Sequence, residues 1–233
     1  MPIWDNEAFM RRRAAARERL DRLTGNKGGE WTDRSNWFRQ VYELAGGDAA
    51  QVPWADLEPK SLLVEWLGLL AEDTPRGKAV DVACGLGDNA QALAAAGFEV
   101  TAFDLSETAV TWARNRFPDT AIRFLQADLF DLPADFTSAF DLVHETYTIQ
   151  SLSGDLRQRA VEAVARMVAP QGRLLLICRA RDDEEICAGP PWPVSKAELA
   201  GFGAAGLRMV SLDDVVIQRD RPIRHFRALF TRE

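Results

Sequence analysis

A chain of 233 residues, 47% of them apolar, can bury a complete core and reads as one domain with an N-terminal extension rather than two. Its 35 acidic and 28 basic residues leave a net charge of −7, which argues against a phosphate backbone as partner and so against DNA or long RNA as substrate. Cys84, Cys178 and Cys187 are odd in number and form no C-x-x-C pair, so neither a disulfide framework nor a zinc site is expected, and a reducing cytoplasm is the expected setting. Residues 1–9 carry Asp5 and Glu7 and lack the apolar stretch of a signal peptide. Residues 5–23 place Phe9, Ala16, Leu20 and Leu23 near one helical face, with Arg11, Arg12, Arg13, Arg17, Arg19 and Arg22 mostly around the rest, which predicts a solvated basic face.

A glycine-rich break at 24–29 precedes a segment with Trp31, Trp37, Phe38 and Tyr42, in which a helix is predicted to reach Leu44 and end at Gly46-Gly47. So many aromatics in a polar stretch either pack the extension onto the rest of the protein or line a substrate pocket and exclude water. Residues 61–70 read as a structural helix; the apolar run 62–71 is interrupted by Glu65 and too short to span a bilayer, and no membrane partner is expected.

Residues 78–105 then read as strand, glycine turn, helix and second strand. Ala79, Val80, Val82 and Ala83 form a short apolar run suited to a buried parallel strand, broken by Asp81. Gly85 and Gly87 bracket a tight turn whose backbone N–H groups can approach a ligand. Asp88 is expected to cap the following helix, with Gln91 three residues on, and Gly97 to close it. The second strand stops at Asp104, about twenty residues past the first glycine, where nucleotide-binding α/β folds grip ribose hydroxyls. Gly85-x-Gly87-x-x-Ala90 also fits the loose dinucleotide fingerprint, so the glycines alone do not separate NAD from another adenosyl ligand. An acid inside the first strand, where the dinucleotide pattern wants an apolar residue, favours a cofactor bearing an amino acid.

Ser106 caps a helix to about 117, and 121–126 is a third strand followed by Asp128, Asp131 and Asp135, expected as solvated loop acids. A fourth strand at 140–143 leads into His144-Glu145-Thr146-Tyr147-Thr148-Ile149-Gln150. His144 and Tyr147 are the plausible proton acceptors there, against a bland reading of His144 as a satisfied histidine at a strand end. A helix over 155–168, a strand over 173–178 and a charged loop at 179–185 follow. Gly189-Pro190-Pro191-Trp192-Pro193 is stiff, and its Trp192 either walls a pocket or anchors the loop. Ser195 and Glu198 form a capping box for a helix to about 205, and strands at 207–217 and 224–230 flank an Arg219-Asp220-Arg221-Pro222 turn. Tyr42 and Tyr147 lack a lysine four residues on, and no P-loop pattern occurs, which disfavours a short-chain dehydrogenase and removes a phosphate-loop NTPase.

From about residue 78 to the C-terminus the chain resembles the class I S-adenosylmethionine-dependent methyltransferases. Their first motif stands as Asp81-Val82-Ala83-Cys84-Gly85-Leu86-Gly87, the acid ending strand two as Asp104, and the acid after strand three as Asp128. The resemblance implies a doubly wound, mostly parallel seven-stranded α/β sheet with a C-terminal antiparallel hairpin, spanning 59–233, and a helical extension or lid at 1–58. It implies S-adenosylmethionine as cofactor, with Asp81, Cys84, Gly85 and Gly87 facing its methionine part, Asp104 and Leu105 the ribose, Asp128 and Leu129 the adenine, and a carbonyl near Glu145 its amino group. Trp31, Trp37, Phe38, Tyr42 and Trp192 would then line the acceptor site. The tryptophan segment and the Pro-Trp-Pro loop look loosely like the thiopurine methyltransferase branch, which suggests a small thiol as acceptor, with O- or N-methylation of a natural product, or a silent cofactor-binding partner protein, as alternatives.

Overall fold

The apolar runs at 79–83 and 98–103 become the centre of a sheet because both of their faces are covered, as parallel strands require. The computed structural model describes residues 3, 6–218 and 222–233, and in it β1 (Lys78–Val82) lies between β2 (Glu99–Asp104) and β4 (Phe140–Thr146), with β3 (Arg123–Gln126) at one edge. The full order is β3-β2-β1-β4-β5-β7-β6, with β5 (Val168–Arg179) parallel to β4, and β7 (Ile223–Thr231) and β6 (Arg208–Ile217) forming the antiparallel hairpin. Chain order reverses direction at β1 and β4, which puts a crevice beyond their carboxyl ends.

One face of the sheet packs on α6 (Gly154–Met167), α7 (Lys196–Leu199) and α8 (Gly201–Ala204) through Val143, Leu174, Leu176, Phe226 and Phe230. The other packs on α3 (Ser61–Gly68), α4 (Asp88–Ala95) and α5 (Glu107–Arg116) through Ala79, Ala102, Leu142 and Leu175. The N-terminal helices α1 (Glu7–Leu20) and α2 (Trp31–Ala45) form a third cluster with Val52 and Ala55 that reaches Leu86 and Ala109. Among the described residues no helix is long and apolar enough to cross a membrane.

Several local expectations shift. Gly87, with φ 87°, is the N-cap of α4, so Asp88 is its first residue and forms a two-pronged ion pair with Arg116 at 2.6 Å on each arm. Arg13 is no part of a solvated face: it is 2% exposed, with its guanidinium on the Asp56 carboxylate and the Ala55 carbonyl. The predicted helix at 195–205 divides into α7 and α8, although the capping box forms, with Glu198 N–H donating to Ser195 Oγ and Ser195 N–H to the Glu198 carboxylate. Arg219, Asp220 and Arg221 of the predicted turn, and Asp5 of the predicted first helix, lie outside the described residues.

Candidate functional site

The glycine turn after β1 has left-handed backbone at Ala83 (φ 51°), Gly85 (φ 54°) and Gly87 (φ 87°). A Cβ on Gly87 would stand 3.1 Å from the Phe124 ring, and one on Gly85 would stand 3.1 Å from the Tyr42 hydroxyl, so neither position has room for a side chain. From outside, Arg116 donates to the Leu86 carbonyl at 2.7 Å. From inside, the Asp104 carboxylate accepts the Gly85 N–H at 3.0 Å and the Ser106 N–H at 2.9 Å, which ties the end of β2 to the turn.

Three carboxylates lie buried at the ends of neighbouring strands: Asp81 on β1 (1% exposed), Asp104 on β2 (6%) and Glu145 on β4 (0%). Burial pushes Asp104 up to about 6, against its two backbone hydrogen bonds. Burial likewise pushes Glu145 up to about 7, although its Oε1 accepts the Thr148 and Ile149 N–H groups; Asp81 adds to both shifts. Among the described residues no arginine or lysine forms an ion pair with any of the three, and Asp81 Oδ2 and Glu145 Oε2 are buried without a hydrogen-bond partner. Buried negative charge left in this state is costly and invites a cationic ligand.

The other oxygen of Asp81 is taken. His144, opposite Asp81 in the β1–β4 register, places Nδ1 at 2.7 Å from Asp81 Oδ1 and Nε2 at 2.8 Å from Thr146 Oγ1. His144, expected from its sequence position as a proton acceptor, is 0% exposed and presents no open face to an acceptor in this structure. Tyr147 follows in left-handed backbone (φ 70°), a conformation that a bulky residue adopts only where its surroundings enforce it. Its hydroxyl sits 2.8 Å from Nε2 of His225, whose Nδ1 donates to the Ile223 carbonyl, and the Lys60 ammonium lies 5.0 Å from the Tyr147 ring centroid. The Cys84 thiol is pushed well above its ordinary value by burial, then by Asp104 and Asp81, which suits a small apolar filler and not a nucleophile.

The expected adenine residues separate. Asp128 accepts from the Trp31 indole N–H at 2.9 Å and from the Phe130 N–H at 2.9 Å. Leu129 instead is buried in the core cluster on the α6 side of the sheet. Leu105 gives its carbonyl to the Gln126 side chain at 3.2 Å.

The aromatics are largely spent on packing. Trp31 stands edge-on to Phe130 at 4.6 Å. Trp37, Phe38 and Tyr42 gather around Trp54, whose N–H donates to the Tyr42 hydroxyl at 2.8 Å. Burial, Asp104 and Cys84 hold the Tyr42 phenol well above its usual value, with the Trp54 bond opposing them. Trp192 closes over Gly28 and anchors its loop through its own backbone, donating to the Gln150 carbonyl at 2.7 Å. Sequence reasoning missed Arg34, 1% exposed, which donates to the Gly25, Asn26 and Ser151 carbonyls and lies over Trp37 at 4.5 Å and Phe38 at 4.3 Å. It also missed Thr146, whose only signal was its position two residues past His144 on the same strand face.

Residues 79–172 match the family model described as a methyltransferase domain. The chain is 31% identical over 116 residues to a putative methyltransferase, YqeM, of Bacillus subtilis (strain 168), a match covering 48% of this chain and 46% of that protein. It is 33% identical over 98 residues to the demethylmenaquinone methyltransferase of Clavibacter sepedonicus, covering 42% and 39%. The matches therefore span less than half the length of these relatives. Among solved structures, the magnesium protoporphyrin IX methyltransferase ChlM of Synechocystis PCC 6803 with bound SAM superposes with a TM-score of 0.65 at 18% identity, over 86% of this chain and 98% of that one. A protein described for the conversion of a disulfide bond into a thioacetal group during echinomycin biosynthesis gives 0.69 at 23% identity, over 85% and 91%. At these identities the likeness is one of fold.

Proposed function

We propose that the chain is a class I S-adenosylmethionine-dependent methyltransferase that moves the cofactor's methyl group onto a small molecule, a reading supported by the methyltransferase-domain match over residues 79–172 and by the shared fold. The observation that carries this reading is the set of three buried carboxylates at the ends of β1, β2 and β4, with two oxygens unpartnered and, among the described residues, no arginine or lysine paired to them. S-adenosylmethionine fits that environment, because it brings an ammonium and a sulfonium to a site short of positive charge and supplies a methyl group open to displacement from behind.

In this reading the Asp81 Oδ2 takes the ammonium, the backbone of the glycine turn takes the carboxylate end, and Asp104 and Asp128 take ribose and adenine. The helix α2, with Tyr42 against Gly85, excludes water, so that most of the acceleration comes from holding the acceptor in line behind the methyl. The thiol preference rested on Trp31, Trp37 and Trp192, and each of these has a packing role, so the accepting atom is better sought at the end of β4.

Calorimetric titration with S-adenosylhomocysteine and with NADH tests the cofactor: binding of the first and not the second is expected, and the reverse overturns the reading. Asp104→Ala should weaken S-adenosylhomocysteine by about 100-fold, the scale of a lost charge-assisted pair of hydrogen bonds, while Asp131→Ala changes it by less than about twofold; equal losses would sink the ribose assignment. Labelled methyl transfer to a panel of phenols, thiols and amines tests the reaction, and tight cofactor binding without transfer to any of them would favour the silent-partner alternative.

A further inference from the structure

Thr146 Oγ1, His144 Nε2, His144 Nδ1 and Asp81 Oδ1 form one continuous chain, with contacts of 2.8 Å and 2.7 Å at its two links. It begins at a half-buried hydroxyl at the carboxyl end of β4 and ends at a carboxylate 1% exposed inside β1. The order hydroxyl, imidazole, carboxylate is the one that lets a neutral imidazole draw a proton off a hydroxyl while the carboxylate holds the ring and balances the charge formed. The strand register builds it: Asp81 pairs with His144 across β1 and β4, and Thr146 shares the His144 face because side chains repeat every second residue.

We propose that Thr146 is the catalytic contact that deprotonates the methyl acceptor, with His144 and Asp81 as the positioning residues behind it, and that the acceptor is therefore a phenolic or alcoholic hydroxyl. This rests on the methyl-transfer reading. As the acceptor oxygen forms its bond to the methyl carbon, the carbon–sulfur pair stays with the departing sulfur. The acceptor's proton passes to Thr146 Oγ1 and the Thr146 proton passes to His144 Nε2. The imidazolium so formed keeps its Nδ1–H on Asp81 Oδ1, and no further reactant is required.

A thiol acceptor, with a pKa of about 8.5, reaches its reactive anion near neutral pH without such a relay, whereas an alcohol or an ordinary phenol, with a pKa of about 10 or higher, gains from one. The arrangement also explains how a histidine with no exposed surface serves the site: it acts through its neighbour. Asp81 divides its work, Oδ1 for the histidine and Oδ2, buried and unpartnered, for the cofactor side.

The relay requires His144 to be neutral and protonated on Nδ1, with Thr146 donating to Nε2. Nitrogen-15 NMR of the full-length protein labelled at histidine reads this directly, because His144 and His225 are its two histidines and His225→Gln assigns the signals. An Nδ1–H tautomer at pH 7.5 is expected, with the Nε2 resonance displaced in Thr146→Val and retained in Thr146→Ser. An Nε2–H tautomer, or an imidazolium at that pH, overturns the relay whatever the protein methylates.

In the transfer assay, 4-methoxyphenol, un-ionised at pH 7.5, and thiophenol serve as hydroxyl and thiol probes. Thr146→Val should lower transfer to the phenol at least about 100-fold, the usual reach of general base catalysis, with Thr146→Ser within about tenfold of the parent chain and the thiol changed less than about threefold. Transfer to the thiol alone overturns the hydroxyl assignment. Unchanged S-adenosylhomocysteine affinity in Thr146→Val separates failure of the relay from failure of the cofactor reading, since the latter would show as no binding in the parent chain.

Discussion

The strand ends and the N-terminal cap both bury charge, and they resolve it in opposite ways. In the cap, Arg34 has no carboxylate partner among the described residues, yet it donates to three backbone carbonyls and lies between aromatic rings, so its donors are used within the chain. At the strand ends, Asp81 and Glu145 each keep a buried oxygen with nothing to accept from, and Asp104 shares their enclosure. The first pattern is what a protein does with charge for its own architecture. The second is the pattern that a ligand bringing positive charge would complete.

That contrast can be broken from the cap side first. Arg34→Met keeps much of the side-chain volume but leaves the Gly25, Asn26 and Ser151 carbonyls without their donor. It should cost on the order of 3 kcal/mol in urea unfolding, the scale of buried groups left unsatisfied. A loss below about 0.5 kcal/mol would show that the cap does not depend on it.

The strand ends can be addressed by pH. Asp104, ordinarily 3.8, is held at about 6, and Glu145, ordinarily 4.5, at about 7, both chiefly by burial. Between those limits the folded state binds more protons than the unfolded one, so the stability these two groups contribute is fully present below about 4 and is lost as pH rises towards about 7. The ligand-free urea midpoint should carry this downward trend, opposite in sign to ordinary acid denaturation. S-adenosylmethionine, by bringing positive charge, should bind more tightly over the same rise. Burial lowers Arg34 only to about 10, so Arg34 contributes nothing in this window. A stability flat in pH together with a flat affinity would remove the distinction between the two regions.

A smaller effect tests where the regions meet. Trp31→Phe keeps a ring against Phe130 but removes the N–H that Asp128 accepts. S-adenosylhomocysteine should weaken by about fivefold, one hydrogen bond's worth, with the melting temperature nearly unchanged. An unchanged affinity would detach the cap from the adenine side of the site.

The parts of this arrangement that were legible in the sequence are those with local causes. The strand–turn–helix at 78–97 follows from apolar runs and glycines, the capping box at Ser195–Glu198 from side-chain spacing, and the final hairpin from its two strand-like runs. Arginine composition misled at Arg13, which read as part of a solvated face and is buried against Asp56 far along the chain, while Arg34, buried on the Ser151 carbonyl and aromatic faces, drew no reading at all. The Asp81–His144 contact joins residues 63 apart and depends on β4 settling beside β1 in one register, which no local pattern states. Thr146 carried no signal beyond its place after His144, and the aromatic abundance, which fitted packing or a pocket alike, is seen packing Trp31 on Phe130 and Trp37, Phe38 and Tyr42 around Trp54.

The Tyr42 hydroxyl lies so close to Gly85 that not even a methyl group fits between them comfortably, and Trp54 holds it there. Anything that settles on that turn must share its space with the Tyr42 side chain of α2. The aromatic contacts of Trp54 with Trp37 and Phe38 brace that hydroxyl from behind, so the shape of the turn's open side depends on residues remote in sequence from the turn itself.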